Sequence, residues 1–559
     1  MYEVSRAHQG RVAIRAFQVI ANALLFRGRY SMGGQSGKAL ESALRTLSPE
    51  IYGSMNDPMR IELKGLEYIM DRLPKGIENC SRFVVTIEDD LEGTSFERLV
   101  PPKRRRASYR VSENEMSFVV TTGLSEIYDI LTHLTFLYIE AKHVYRKTRN
   151  EDGVPIRAWR QFEKDLQRET ELSGTELEKA IWNLSIILGR TYHETRATYD
   201  YFEETRDKLK SNNGLFSIIH SLGCLIEREI KENDRLVVHF RPSLSDQIMQ
   251  QISGKKWAAA VKDKLCNLRL EDRPLHIISA NQHSVLNLVY GYHAVISEVK
   301  KECAPDLYDF IIDIRAKGEQ IRGFAGKHGF CEIEDRSGAQ TNVQIIDTAE
   351  LSAIDFHPGV KINSRLLLDQ KPVLLIMDYA FGSQAFELMD ELLEPWERDG
   401  ATRALNVQSI SIMGKAGILP GEKGDIMLAT AHVLEGHAHN YILDNDLDEE
   451  DFDGCATIYT GPIITVLGTS LQNRDVLQMF HTTSWKAVGL EMEGGHYQRA
   501  ITAAIIRGHI PKDVKVRYAY YASDNPIKSG QTLAAGPMGI EGIRPTYVIT
   551  KAILEKILS

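Results

Sequence analysis

The sequence predicts an α/β domain in its last third, with a central, largely parallel sheet flanked by helices. A mainly α-helical N-terminal region and a small mixed α/β segment precede it. Three observations carry this reading. Apolar residues recur at helical spacing through the first two-fifths of the chain. Short β-branched runs appear among helical patterns between about Leu236 and Leu368. From Val373 onward, apolar strand-like runs alternate with helical stretches, as they do when helices cover both faces of a sheet. The expected boundaries are 1–235, 236–368 and 369–559.

In the N-terminal region Ile127, Leu131, Leu134, Tyr138 and Ala141 share one helical face, with Glu126, Asp129 and Lys142 elsewhere. Ser173 and Glu176 read as a capping box flanked by Leu172 and Leu177, opening a helix that Gly189 weakens. Periodicity resumes through Tyr199, Phe202 and Leu209 and ends near Asn212–Gly214, so a helical bundle is expected. The middle segment offers strands at Leu236–Phe240, Leu275–Ser279 and Val343–Ile346. The last third offers Val373–Met377, Val407–Met413, Asp425–Ala429, Ile463–Val466, Ala487–Leu490 and Val516–Tyr521, with helices at Ala385–Leu393 and Tyr547–Leu558.

The composition, 559 residues with 43% hydrophobic and 26% charged, suffices for more than one core and excludes a largely disordered chain. No apolar run approaches the ~18 residues of a membrane span. The N-terminus lacks the apolar centre of a secretory signal. Six scattered cysteines without a Cys-x-x-Cys pair fit a reducing cytoplasm. A net charge of -9 argues against general nucleic-acid affinity. A cytoplasmic protein without membrane or nucleic-acid partners is expected.

Several motifs are set aside. Gly33-Gly34-Gln35-Ser36-Gly37-Lys38 has Met32 and Ala39 where a phosphate-binding P-loop needs Gly and Ser or Thr, and reads as a flexible turn. Asp444-Asn445-Asp446-Leu447-Asp448 lacks the Gly and the distal Glu of a calcium loop and reads as a solvated acidic loop. Lys103-Arg104-Arg105-Arg106 reads as a solvated basic loop, and His432, His437 and His439 as ordinary loop histidines. No metal and no cofactor is expected.

The chemistry concentrates after the predicted strands of the last third, where an open α/β sheet binds ligands. The residues there are Gly382-Ser383, Gly414-Lys415-Ala416-Gly417, Gly424-Asp425, Met492-Glu493 and Ser523-Asp524-Asn525-Pro526. In this order they resemble the purine nucleoside phosphorylase and nucleosidase superfamily, most closely its AMP nucleosidase branch, over about Val373–Leu558. The rest of the chain carries no such resemblance. It implies that Asp524 is the general acid that protonates the departing base, which requires a raised pKa. It implies that Glu493 accepts the ribose hydroxyls and that Met492 packs on the sugar or base. Gly382, Ser383 and Gly414 would supply close backbone approach and amide donors, with Ser523 beside the acid. Lys415 stands where adenosine-type nucleosidases carry a small residue, which points to a nucleotide.

The chain departs from the family pattern in the loop after Gly424-Asp425. Leu434-Glu435-Gly436 stands where the family carries Arg-Gly-Glu-Gly, so a phosphate contact is lost or moves to a cation such as Arg474. Glu435 and Glu387 are the candidates for activating water. The implied reaction is hydrolysis of the N-glycosidic bond of an AMP-like purine nucleotide to free base and ribose 5-phosphate. The alternatives are a phosphorylase, with inorganic phosphate as a partner, and an inactive nucleotide-binding sensor or scaffold. The resemblance also implies a homo-oligomer.

Overall fold

The computed structural model describes residues 5–104, 106–168, 172–295, 306–452, 454, 456–528 and 538–559. The chain divides into two compact units, Met1–Gln250 with Ser470–Val476, and Gln251–Thr469 with Leu477–Ser559.

Helices dominate the first unit, including Arg6–Arg27, Leu124–Thr148, Gly174–Leu188, Tyr192–Leu209 and Leu215–Lys231. It is nonetheless not the expected bundle. Strands β1 (Arg29–Ser31), β2 (Arg82–Thr86), β3 (Glu97–Leu99), β4 (Ser108–Arg110), β5 (Glu115–Val119) and β6 (Val237–Phe240) form a sheet in the order β1-β6-β2-β5-β4-β3. Each has three to five residues, too few for a period of two to stand out beside long helices. The Gly33-Gly34 turn leads from β1 into the helix Gln35–Leu47, with Gly34 as its N-cap.

The capping box also lies elsewhere than expected. Ser173 is an N-cap, but its side chain makes no capping bond. The reciprocal pair is Thr191 with Glu194: Glu194 N–H donates to Thr191 Oγ1 at 3.2 Å, and Thr191 N–H donates to Glu194 Oε2 at 2.9 Å. In the basic loop Lys103 is exposed, but Arg104 and Arg106 turn inward. Arg104 makes a bidentate contact with Asp129 at 3.0 and 2.8 Å, and Arg106, 3% exposed, lies 3.4 Å from the same carboxylate. Arg105 lies outside the described residues.

The second unit contains β7 (Leu275–Ser279), β8 (Phe330–Ile333), β9 (Val343–Asp347) and β10 (Val373–Met377). After a two-stranded ribbon, β11 (Trp396–Arg398) with β12 (Ala401–Arg403), come β13 (Val407–Ile418), β14 (Ile426–Leu434), β15 (Asn440–Ile442), β16 (Ile458–Thr465), β17 (Gly489–Glu491) and β18 (Lys515–Asp524). The strands β8-β9-β10-β7-β13 form an open sheet in which β10, β7 and β13 are parallel. Beyond β13 the sheet closes on itself, because β13 pairs β18, β18 pairs β14, β14 pairs β16, β16 pairs β17, and β17 returns to β13. The length of β13 makes this possible: one edge pairs β7 through Ile412 and then β17 at Gly417 and Ile418, while the other follows β18.

The expected middle segment is therefore not a separate unit. β6 belongs to the first sheet, whereas β7 is a central strand of the second. Two cores cover the second sheet. On β10, Val373, Leu375 and Met377 face the core with Trp257, Leu388 and Ile501, while Leu374 and Ile376 face the core with Leu286, Phe310 and Ile553. A strand apolar on both faces reads as a continuous run, which explains why Leu275–Ser279 and Val373–Met377 are legible end to end. The acidic loop is anchored rather than merely solvated. Asn445 Nδ2 donates to the carbonyls of Ala429 and Tyr518 at 3.0 and 2.8 Å, and Arg517 pairs with Asp446 at 2.7 Å.

Candidate functional site

β10 leaves the sheet at Met377 and runs through Asp378–Gly382 to Ser383, the N-cap of the helix Gln384–Leu393. Gly382 has φ +54°, the left-handed region that glycine tolerates best. Its N–H donates to Glu493 Oε1 at 2.8 Å, joining residues 111 positions apart.

Glu493 follows β17 and precedes the helix Gly494–Arg507. The last residue of β17, Glu491, holds that junction. Its Oε2 accepts Glu493 N–H at 2.5 Å and also Gly494 N–H. Its Oε1 accepts the Thr465 hydroxyl at 2.6 Å and lies 3.6 Å from His432 Nδ1. Gly495 N–H donates to Thr465 Oγ1 at 2.9 Å. A Cβ at Gly494 would collide with the His432 ring and the Tyr520 hydroxyl, so only glycine permits this close approach.

Asp524 ends β18 and is 2% exposed. Ser523 Oγ donates to its Oδ1 at 2.5 Å, and Oδ2 is buried without a hydrogen-bond partner. In the sheet, Gly417 of β13 pairs with Leu490 on one side and with Asp524 on the other. The strands that carry Glu493 and Asp524 therefore flank one glycine, about 10 Å apart at that row. Lys415, two residues earlier on β13, pairs with Tyr521 of β18.

Glu493 is enclosed by protein yet keeps part of its surface accessible, and Tyr379 on the preceding loop is 37% exposed with its hydroxyl bonded to the Asn281 backbone. Burial, and then the negative charge of Glu491, push the Glu493 pKa up to about 8 against the N–H groups of Gly382 and Met492. Burial also opposes the charge of Glu491, but the neighbouring His432, the Gly494 N–H and the Thr465 hydroxyl hold its pKa below the ordinary value. Burial raises the pKa of Asp524, opposed by the Ser523 hydroxyl and by the charge of Lys415. Such a site can offer two carboxyl groups of raised pKa, on strands that flank one glycine.

The sequence-derived residues fall as follows. Gly382, Ser383, Met492, Glu493, Ser523 and Asp524 lie at strand ends or in the loops just after them. Gly414 and Lys415 do not, because β13 continues through them to Ile418. Gly424-Asp425 is a turn tied to β18: Gly424 N–H donates to the Ala522 carbonyl at 2.9 Å, and Ala522 N–H donates to the Asp425 carbonyl at 2.8 Å. Glu435 is buried just beyond β14, and its N–H donates to the Thr465 carbonyl at 3.0 Å, next to the hydroxyl that holds Glu491. Glu387 is set apart by its bond, at 2.9 Å, to Gly254 N–H of the helix Ile252–Asn267. Arg474 belongs to the first unit, where its N–H donates to Glu50 at 3.3 Å.

Glu491, Thr465 and His432 are missed by the sequence reading. His432 is not a loop residue: it lies on β14, fully buried. Glu491 precedes the Met492-Glu493 pair, and two carboxylates bracketing one methionine were the available signal. The end of β7 also reaches this region, with Ser279 Oγ 3.1 Å from the Tyr497 hydroxyl. Among the described residues no group of three or more His, Cys, Asp or Glu side chains is placed to hold a metal ion. Nor is any helix among them long and apolar enough to cross a membrane.

No curated protein matches the chain. Solved structures similar to part of it include the Campylobacter jejuni 5′-methylthioadenosine/S-adenosyl homocysteine nucleosidase, at 13% identity and TM-score 0.28, covering 51% of this chain and 99% of that one. A futalosine hydrolase mutant of Helicobacter pylori is similar at 10% identity and TM-score 0.28, covering 51% and 98%. A uridine phosphorylase from Schistosoma mansoni in complex with thymidine is similar at 12% identity and TM-score 0.30, covering 51% and 87%. TM-scores of this size establish nothing about this chain. The sequence profile of DUF6909, a family of unknown function, matches residues 38–302 and 312–559, and the chain belongs to that family.

Proposed function

We propose that the second unit hydrolyses the N-glycosidic bond of an AMP-like purine nucleotide, giving free base and ribose 5-phosphate. One observation carries the reading: a buried Asp524 with an open Oδ2 lies across Gly417 from the strand that presents Glu493 to Gly382. The resemblance of these motifs to the nucleoside phosphorylase and nucleosidase superfamily supports it.

In this reading Asp524 passes its proton to a ring nitrogen of the base as the bond to C1′ breaks, and the base leaves with the bonding electrons. Glu493 accepts the ribose hydroxyls and favours the positive charge that develops on the sugar. Water adds to C1′ and gives up a proton, for which Glu435 is the nearest candidate acceptor carried over from the sequence. Lys415 is the counter-charge for a 5′-phosphate. The residue Leu434, where the related pattern has arginine, favours water over phosphate as nucleophile.

Incubation of pure protein with AMP, adenosine, GMP and ATP, with and without phosphate, followed by chromatography of released base, tests the proposal. Release from AMP without phosphate supports hydrolysis. Release only with phosphate identifies a phosphorylase, and binding without release identifies a sensor. The same resemblance supports a homo-oligomer, and the scattered cysteines a cytoplasmic protein; sedimentation only as a 63.1 kDa monomer would count against the oligomer.

A further inference from the structure

The N–H groups that open a helix form a ready site for a ligand anion. At the helix Gly494–Arg507 that place is already taken from within the chain. Glu491 Oε2 accepts from Glu493 and Gly494, and Thr465 Oγ1 accepts from Gly495 while donating to Glu491. We infer that Glu491 is the positioning residue for Glu493: locked by Thr465 and His432, it fixes the Glu493 backbone opposite Gly382 and places a second carboxylate beside it, so that a sugar diol binds with release of a proton. The sugar in this statement rests on the function proposed above; the carboxylate pair does not.

Two neighbouring enclosed carboxyl groups do not readily ionise together, and the proton stays on the one with the poorer partners. Glu491 has two backbone N–H groups, a hydroxyl and a histidine. Glu493 has the N–H groups of Gly382 and Met492, and among the described residues no side-chain cation contributes to its pKa shift. The other titratable groups around the pair include Tyr518 and Tyr520 of β18, His496 and Tyr497 of the following helix with Arg499 and His437 near His496, Glu435 beside Thr465, and Asp378 of the loop after β10. Buried tyrosines there are neutral, because burial raises their pKa further. His496 is held down to about 4 by burial, against the pull of Glu491, so it too is uncharged near neutral pH. Glu493 thus holds its proton until hydroxyl donors arrive, and a diol that donates to it favours the ionised form.

The test follows the protonated-carboxyl C=O band of the full-length, ligand-free protein by infrared spectroscopy between pH 5 and 10. Loss of the band in Glu493→Gln assigns it. The expected midpoint is near 8. Glu491→Gln, which keeps the shape but removes the charge, lowers the proton affinity at least about tenfold. Thr465→Val lowers it by less, and Thr465→Ser restores it, so the answer does not depend on one variant folding. A wild-type midpoint in the ordinary carboxylate range overturns the inference, as does an unchanged midpoint in both Glu491→Gln and Thr465→Val. Because the band is read without substrate, protein that releases no base from any nucleotide still decides it. Base release with an unshifted band would separate a sound activity from a failed positioning role.

Discussion

Asp129 of the first unit and Asp524 of the second are both buried carboxyl groups, 8% and 2% exposed, yet their surroundings differ completely. Asp129 meets Arg104 through two bonds, Arg106 at 3.4 Å and His133 at 3.5 Å. Burial opposes its charge, but Arg104 above all, with His133 and Arg106, holds its pKa well below the carboxylate range. Asp524 meets one hydroxyl, leaves Oδ2 unbonded, and has its pKa raised by burial. A buried charge whose partners are complete belongs to the architecture. A buried acid left incomplete has its pKa raised, which favours its protonated form.

The comparison can be broken in order of expected effect. Asp524→Asn removes the proton donor but keeps the shape, so kcat for base release falls about 10²–10⁴-fold with ligand affinity nearly unchanged. Full activity in this variant would remove Asp524 from the chemistry. Asp129→Asn leaves Arg104 without its bidentate counter-charge and Arg106 with Glu126 alone, and costs about 3–5 kcal/mol in chemical denaturation of the first unit. Since the folded pKa of Asp129 is depressed, its contribution is present above the unfolded value of about 3.9 and disappears as pH falls through the folded one. A loss under 1 kcal/mol would erase the contrast.

The next effect belongs to Glu493. If it binds the ribose as a carboxylate, KM for adenosine rises about tenfold for each pH unit below the pKa near 8, and this slope disappears in Glu493→Gln. A flat wild-type profile would show that the group is already ionised. The smallest effect sharpens the role of Lys415. Lys415→Ala raises kcat/KM for adenosine relative to AMP by about tenfold, because only the nucleotide carries a phosphate to pair with. The same change removes the charge that holds the Asp524 pKa down, so the alkaline limb of the rate profile moves to higher pH. Equal losses for both substrates would take the 5′-phosphate out of the proposal.

Several elements were legible because their causes are local. The runs Leu275–Ser279 and Val373–Met377 are apolar without interruption, as strands buried on both faces must be, and the structure places both strands on those residues. The strand through Gly414-Lys415-Ala416-Gly417 was not, because two glycines and a lysine are the composition of a turn. The pairing of Gly414 through Gly417 with β18, and of Gly417 with β17 on the other edge, keeps that segment extended. Ser173 failed as half of a capping box while Thr191 succeeded, since reciprocal bonds depend on geometry that Ser-x-x-Glu alone does not specify. Arg104 and Arg106 read as solvated because the acid that neutralises them, Asp129, arrives from another element.

By itself the sequence determined the long helices and the fully apolar strands, the order of the motifs and which carboxyl groups stand among them, because periodicity and composition act over a few residues. Tertiary structure decided the rest. It chose β7 as a partner of β10 and β13, closed the sheet through β17, brought Gly382 to Glu493 across 111 residues, and set Glu491 beneath the helix that follows. Burial and charge are properties of neighbours rather than of residues. The raised pKa values of Glu493 and Asp524 therefore come into being only when distant strands meet.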